Sequence, residues 1–499
     1  MVLRKEYVKL IFGIKLKQFR NTASISLQEL SKRSGISVSY LNEIENGKKY
    51  PKTDKIIQLA NALNIPAEDL VSERLDNQLA PVAELFRSGI LAELPLEVFG
   101  LEAGKLLELL SNAPSKLNAF IGTLLEISRN YDLRVETFYF SVMRSYQEIH
   151  RNYFEDLEEE AERFFDEFNL DKNIPVTTKR LESILQDQFN YRIEYQAFDD
   201  HDALKDMRSL MIPKRRRHKL ILNEKLDTRQ KGFILGKEIG YRFMNMKERS
   251  FTSTWVKIDS FDQVLNNFKA SYFSSAVLIN RANFLVDLDR FLSSHQWDPN
   301  ILLNTMMDYN ATPEMVLQRM TSLLPKYFGF KELFFFRFNS VPFSNRFELS
   351  KELHISRERS PRGTVLQEHF CRRWMFISIL DDLAKLHGSE RHEQVLGGAQ
   401  VAKYLDTGER FLIFSLARSL FPTPGINSSL ALGIRIDDIV AQKVNFLSDP
   451  QVKIKLVNDT CERCSARNCK VRAAPARMFD QLKKEEDRII AIQKMVDKN

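Results

Sequence analysis

The chain has 499 residues, 43% hydrophobic and 28% charged, with a net charge of +7. That balance gives apolar material for several cores, and the length predicts two to four domains. Gly is scarce at 18 and Phe abundant at 36, and neither standard glycine-rich phosphate loop is present, which excludes a nucleotide-driven machine.

No run of 18 uncharged apolar residues occurs, and Arg4, Lys5 and Glu6 follow Met1 without an apolar stretch. Neither a signal peptide nor a membrane span is expected. Four cysteines in so long a chain do not make a disulfide scaffold, so a cytoplasmic protein with free or metal-bound thiols is expected. The charge is uneven, with thirteen Lys/Arg against eight Asp/Glu in residues 1–74. A basic unit on a near-neutral body predicts an anionic partner for that unit; a solvated basic surface has the same composition.

Residues 7–20 carry apolar side chains at helical spacing. Ser26 then caps a helix, Glu29 completes a capping box, and Leu27 and Leu30 form its inner face. Gly35 suits a tight turn needing positive φ. Ser37 caps the next helix, with Val38, Leu41 and Ile44 as its buried side and Asn46-Gly47 as its end. Thr53 caps a fourth helix packed by Ile57, Ala60 and Leu63, and Ile65-Pro66 and Leu70 close the bundle. LQELSKRSGIS followed by SYLNEIENGKKYP resembles the lambda-repressor/Cro-type (XRE) helix-turn-helix family over residues 7–71. The resemblance implies that the second helix of the pair enters a DNA major groove. Ser37, Ser39, Tyr40, Asn42, Glu43 and Asn46 would face the bases, where Asn pairs with adenine and Glu accepts from cytosine. Gln28, Lys48 and Lys49 would hold phosphates. It also implies a homodimer on an inverted-repeat operator in double-stranded DNA.

Residues 75–170 read as helices, among them LAPVAELFRSGILAEL and the long stretch from Val135 to Phe168. The acidic run Glu155–Asp166 has Phe154, Leu157, Phe164 and Phe165 at helical spacing and predicts an amphipathic helix with a solvated acidic face. Docking of the basic N-terminal unit on that face is the alternative.

Residues 178–195 predict a helix and a strand; 217–244 predict a strand, a turn capped near Asp227-Thr228, and a helix. This order resembles the ImmA/IrrE-type metallopeptidase domain, whose last helix carries HExxH, two zinc-binding His flanking a general base. The matching residues here are Lys237, Glu238, Ile239, Gly240 and Tyr241. Both ligand histidines are absent, and the carboxylate expected on the next helix aligns with Lys269. No zinc is expected at 237–241, because a protonated amine has no lone pair and repels a dication. Without a metal to acidify water, Glu238 has no nucleophile to generate, so a non-catalytic descendant is predicted. Lys237, Glu238 and Lys269 are expected to form an ion pair replacing the metal.

From residue 286 to 455, helical runs (290–309, 312–328) mix with strand-like runs (332–339, 346–356, 410–419, 428–436). The Phe-rich strands either line an apolar ligand pocket or form plain core. CERCSARNC then brings Cys461, Cys464 and Cys469 close in sequence, with Cys371 in EHFCRRW as the remaining cysteine. Two thiolates two residues apart converge on one tetrahedral ion, and a four-thiolate zinc site using Cys371 is the leading expectation. An iron–sulfur cluster, a redox-switched disulfide and reduced thiols in a packed turn are the others. Arg463, Arg467, Lys470 and Arg472 would offset the thiolate charge. EHFCRRW, LALGIRI and CERCSARNCKVRAAP resemble the C-terminal region of the short-chain fatty acyl transcriptional regulators. That resemblance implies an acyl-CoA or related metabolite as effector. Residues 476–497 form an amphipathic helix that packs on the body or pairs with a second copy.

The expected architecture is multidomain: an all-α helix-turn-helix domain (1–74), a helical connector or dimerisation region (75–170), a degenerate α+β peptidase-like domain (171–285), an α+β sensor-like domain (286–455), and a Cys cluster with a terminal helix (456–499). The expected function is that of a dimeric, non-enzymatic transcription regulator. A phage-type repressor or antitoxin-like interaction protein without an effector is the alternative.

Overall fold

The computed structural model describes residues 5–72, 135–173, 175–198, 202–204, 206–253, 258–356, 368–386, 394–420, 423 and 425–497. The chain divides into two compact units, Met1–Val142 and Met143–Asn499. The predicted helix over residues 79–94 lies outside the described residues.

In the first unit, α1 (Lys5–Thr22), α2 (Leu27–Ser34), α3 (Val38–Glu45), α4 (Thr53–Leu63) and α5 (Ala67–Val71) surround one core. Phe12, Leu16, Leu30, Ile36, Leu41, Ile44, Leu59 and Leu70 fill it. Ser26 and Ser37 cap α2 and α3 as expected, accepting from the backbone N–H of Glu29 and Tyr40. Gly35 adopts φ +70 at the turn between them. Three expectations fail. Val38 is 40% exposed and Ile57 50% exposed; Ile56 and Leu59 face the core instead. Thr53 is the first residue inside α4, and Lys52 precedes it without a side-chain cap. Ala60 and Leu63 are buried as expected, so the helical period and its phase hold on α4, and the stripe extends through Ile56 and Leu59 rather than Ile57.

The helix α6 (Val135–Ile149) leads into the second unit and α7 (Glu155–Glu167) follows. The single long helix predicted here is broken because Arg151 and Asn152 take positive φ. A small mixed sheet then forms from β1 (Tyr191–Gln196), β2 (Ser209–Ile212) and β3 (His218–Asn223), in the order β1-β3-β2. Strands β1 and β3 run parallel, with Tyr191 opposite His218. Packed with it are α8 (Thr178–Asp187), α9 (Thr228–Phe243) and α10 (Phe261–Leu278). The predicted cap of α9 is present as a full capping box between Asp227 and Gln230. Helices α11 (Arg281–Ser293), α12 (Pro299–Asp308) and α13 (Pro313–Leu323) follow. The stretch 290–309 is two helices, because Asp298 caps a new one that opens on Pro299.

The remaining strands are β4 (Leu333–Ser340), β5 (Glu348–Ile355), β6 (Leu396–Tyr404), β7 (Arg410–Ser419), β8 (Asn427–Arg435) and β9 (Lys453–Val457). They form a sheet in the order β5-β4-β8-β7-β6-β9, antiparallel except for β6 against β9. Helix α14 (Met375–Lys385) covers one face, α15 (Asp438–Lys443) follows β8, and α16 (Arg477–Val496) ends the described chain. The alternation along β4 divides the Phe residues between two cores. Leu333 and Phe335 join the large core shared with α9–α13; Phe334, Phe336 and Phe338 pack against Trp374 and Phe376. The Phe-rich strands are core on both faces. Strands β2, β6 and β9 and helix α14 had no counterpart in the sequence reading.

Candidate functional site

The helix-turn-helix surface follows from the burial of α3. Leu41, Ile44 and Glu45 point inward, leaving the opposite side to Ser39 and Asn42, both exposed. Gln28, Ser37, Lys48 and Lys49 are also exposed, and Tyr40, Glu43 and Asn46 half-exposed. The nine predicted DNA-contact residues therefore all reach the surface of one small unit. They are braced among themselves: the Asn46 amide donates to Asn42 Oδ1 at 3.0 Å, and Lys49 Nζ lies 2.8 Å from Glu43 Oε2. Hydrogen bonding to Glu43 raises the Lys49 pKa. Lys55 sits over the Tyr40 ring at 4.2 Å. The sequence reading missed the clamp behind α3, where Arg20 meets the buried Glu45 carboxylate at 2.7 and 3.0 Å. No sequence signal pairs residues 25 positions apart; only the bundle brings them together.

On α9 the peptidase-like site is rebuilt around a cation that the sequence reading did not find. Glu238 is buried; its Oε1 lies 2.5 Å from Arg249 NH2, and its Oε2 accepts from Tyr191 OH at 3.2 Å. The expected ion pair with Lys237 and Lys269 is therefore replaced by one with Arg249. Burial would lower the Arg249 pKa, but Glu238 overrides it and holds it up. The Arg249 guanidinium also stacks 4.1 Å from the Tyr241 ring centroid, and Tyr241 OH donates to Asn267 Oδ1 at 3.2 Å. Gly240 lets α9 and α10 touch, since a Cβ there would lie 2.9 Å from the Phe273 ring. Lys237 is half-buried, and burial pushes its pKa down to about 8. Lys269 lines a separate open groove with Asp156 and Glu248. A guanidinium on the carboxylate, an amine and a phenol do not form a zinc donor set.

The four cysteines come from opposite ends of the last 130 residues yet line one small cavity of about 10 Å³. Backbone pairing joins them: Cys371 N–H donates to the Asp459 carbonyl at 3.1 Å and Cys461 N–H to the His369 carbonyl at 2.8 Å. Cys371, Cys461 and Cys464 are buried, Cys469 partly so. The Arg472 guanidinium donates to the carbonyls of Cys461, at 2.6 Å, and Cys464, at 3.1 Å, and so shapes the knuckle. Burial pushes the Cys371 thiol up. Among the described residues no set of three or more His, Cys, Asp or Glu stands in a geometry that could hold a metal ion. Of the basic residues expected to flank the thiols, Arg463 is paired with Glu368 and Arg467 with Asp480; Arg472, Arg372 and Arg373 line the cavity.

Residues 16–70 match the helix-turn-helix family, and residues 186–321 match the IrrE N-terminal-like domain. An uncharacterized HTH-type transcriptional regulator of Mycobacterium tuberculosis is 40% identical over 58 residues, 12% of this chain and 41% of the relative. The HTH-type transcriptional repressor RghR of Bacillus subtilis is 39% identical over 61 residues, 12% of this chain and 45% of the relative. The uncharacterized HTH-type regulator YazB of the same organism is 38% identical over 60 residues, 12% of this chain but 87% of YazB. The chain belongs to the HTH-type transcriptional regulators. It spans less than half the length of the mycobacterial relative and of RghR. A solved structure, a Mycobacterium tuberculosis transcriptional regulator, aligns with 68% of this chain and 93% of its own at 17% identity and a TM-score of 0.47. In this HTH-type regulator, no helix among the described residues is long and apolar enough to cross a membrane. The IrrE-like match runs past residue 285 to include α11, α12 and most of α13, which share the large core with α9 and α10.

Proposed function

We propose that the chain is a sequence-specific transcription regulator that binds an inverted-repeat operator in double-stranded DNA as a homodimer. The observation that carries this is the exposed polar face of α3, Ser39 and Asn42 with Gln28, Lys48 and Lys49 beside it, on a domain matched to the helix-turn-helix family. Base edges are read by Asn42, Ser39 and Glu43, and phosphates neutralised by the lysines. The unburied helix α16 supports self-association: Leu482, Ile489, Ile492 and Val496 are all exposed on one stripe. Selection of duplexes from a random library by the full chain should yield a two-fold symmetric motif. A selection with no enriched motif refutes the DNA-reading proposal.

The peptidase-like domain serves packing and signalling rather than hydrolysis. Its support is the Arg249–Glu238 pair, which neutralises the would-be general base. The C-terminal half senses an acyl-CoA or a related metabolite. That rests on the likeness to short-chain fatty acyl regulators, and a thermal-shift screen with acyl-CoAs tests it, since ligand at 100 times its Kd adds about 2.7 kcal/mol. No response to any acyl-CoA favours an interaction protein without an effector. A structural zinc on Cys371, Cys461, Cys464 and Cys469 rests on the thiols' spacing and on their lining one cavity, and it would require them to draw together from their present placement, which is not a metal-binding geometry. Elemental analysis for zinc and iron together tests it, and protein free of both overturns it.

A further inference from the structure

One cavity of the second unit has walls that no function described above uses. It holds about 230 Å³ between α9, the start of α13 and the face of the six-stranded sheet. Arg208, Arg337, Lys351 and Arg418 line it, against the single carboxylate of Glu314. Glu314 is already engaged: Arg337 NH1 lies 3.2 Å and Lys351 Nζ 3.1 Å from its two oxygens. Among the described residues Arg418 reaches only Asp227, at 3.7 Å. The Arg208 guanidinium has no hydrogen bond or ion pair among the described residues, although its backbone N–H is held by Ser253. Four cations therefore face about two anions, one of them distant.

Arg208 and Arg418 are half-buried, and a partly desolvated charge without a counter-charge is costly, so a fold holds one where a ligand supplies the missing counter-charge. Burial pulls the pKa of both Arg208 and Arg418 down, and neither Glu314 nor Asp227 restores it. Glu314 shows the same imbalance from the other side: burial opposes its ionisation, yet Lys351, Arg337 and Arg208 hold it at about 2. Phe233 and Met315 supply apolar wall beside the cations. The volume lies below the roughly 300–1,000 Å³ of pockets that enclose drug-sized ligands, so the occupant is small.

We propose that this cavity binds a compact oxyanion ligand carrying two negative charges, a phosphate ester or a small dicarboxylate. Arg208 and Arg418 bind the anion directly, with Arg337 and Lys351 forming the back of the cationic wall. Because the lining comes from α9 on one side and from β4, β5, β7 and β8 on the other, the ligand clamps the peptidase-like helix to the sheet. Its regulatory role rests on the sensory reading of the C-terminal half; binding itself does not.

The test uses the full chain in calorimetric titrations with inorganic phosphate and with succinate, in chloride buffers of matched ionic strength. Saturable binding of either supports the site, and the one that binds identifies phosphate or carboxylate chemistry. Arg208→Gln and Arg418→Gln should each weaken that binding at least tenfold. The ligand-free melting temperature of Arg208→Gln should be equal to or above the parent's, because an unpaired charge has been removed; a purely structural arginine would lower it. Absence of saturable binding by both anions overturns the proposal, as does unchanged affinity in both variants. If acyl-CoA still raises the melting temperature while neither anion binds, the sensory reading stands and the cavity assignment falls. If an anion binds and no acyl-CoA acts, the cavity stands and the acyl-CoA reading falls.

Discussion

Lys48→Ala and Lys49→Ala look equivalent in sequence but are predicted to act differently on DNA binding. Lys49 is paired with Glu43 at 2.8 Å and must release that carboxylate to neutralise a phosphate. Lys48 is exposed with no side-chain partner among the described residues. Each neutralised phosphate contributes about 0.9 to the slope of log K against log salt, so Lys48→Ala in both half-sites of a dimer should reduce the slope by about 1.8. Lys49→Ala should reduce it less, and Glu43→Gln should make the two lysines equivalent. Asn42→Ala acts on a different quantity. Its Oδ1 accepts one hydrogen bond from Asn46, which leaves a second lone pair and the amide hydrogens for a base edge. Losing a bidentate base contact costs about 1–3 kcal/mol, roughly 5- to 150-fold per half-site, with the salt slope unchanged. Fluorescence anisotropy on the selected operator between 50 and about 200 mM salt measures both quantities. An unaltered slope in Lys48→Ala, together with unaltered affinity in Asn42→Ala, would refute the placement of α3 in the groove.

Further outcomes follow from the second unit. Arg319 and Glu158 form a buried pair with an Arg319 NH2 to Oε2 distance of 2.8 Å, and Tyr272 OH donates to the same carboxylate at 2.7 Å. Burial opposes ionisation of Glu158, but Arg319 and Tyr272 hold its pKa below 4.5. Its stabilising contribution is therefore present above pH 4.5 and lost as pH falls through the lowered value. Arg319→Met should cost about 3–5 kcal/mol at neutral pH and reverse that sign, so that the variant loses stability as pH rises; hydrogen exchange of α13 at pH 4 and 7 reads it, and an unreversed pH trend counts against it. Arg249→Met should likewise destabilise α9 by about 3–5 kcal/mol, because Glu238 is left buried and unpaired; unchanged thermal unfolding would show that the pair does not matter. Ile489→Asp with Ile492→Asp should convert a dimer to a monomer in sedimentation velocity, while a persistent dimer would place the interface elsewhere.

Local sequence patterns carried much of this protein. Ser26, Ser37 and Asp227 cap helices where their spacing said they would, because a cap is a contact between residues three apart. The helix-turn-helix was legible for the same reason: Leu30, Gly35, Leu41 and Ile44 are near neighbours, and burying them turns Ser39 and Asn42 outward. Strands β4, β5, β7 and β8 were visible as apolar runs, and the loss of HExxH could be read directly at Lys237 and Tyr241. What the tertiary structure decided involves partners far apart in the chain. Arg249 rather than Lys269 holds Glu238, Arg319 turns a supposedly solvated Glu158 into buried core, and Cys371 reaches the Cys461–Cys469 knuckle across some ninety residues. Strand β6, the edge strand β9 and the cationic cavity at Arg208 likewise arise only when the sheet closes on α9. Helical and strand periodicity records which side of an element is apolar; long-range charge pairing leaves no such period, so its partners emerge only on folding.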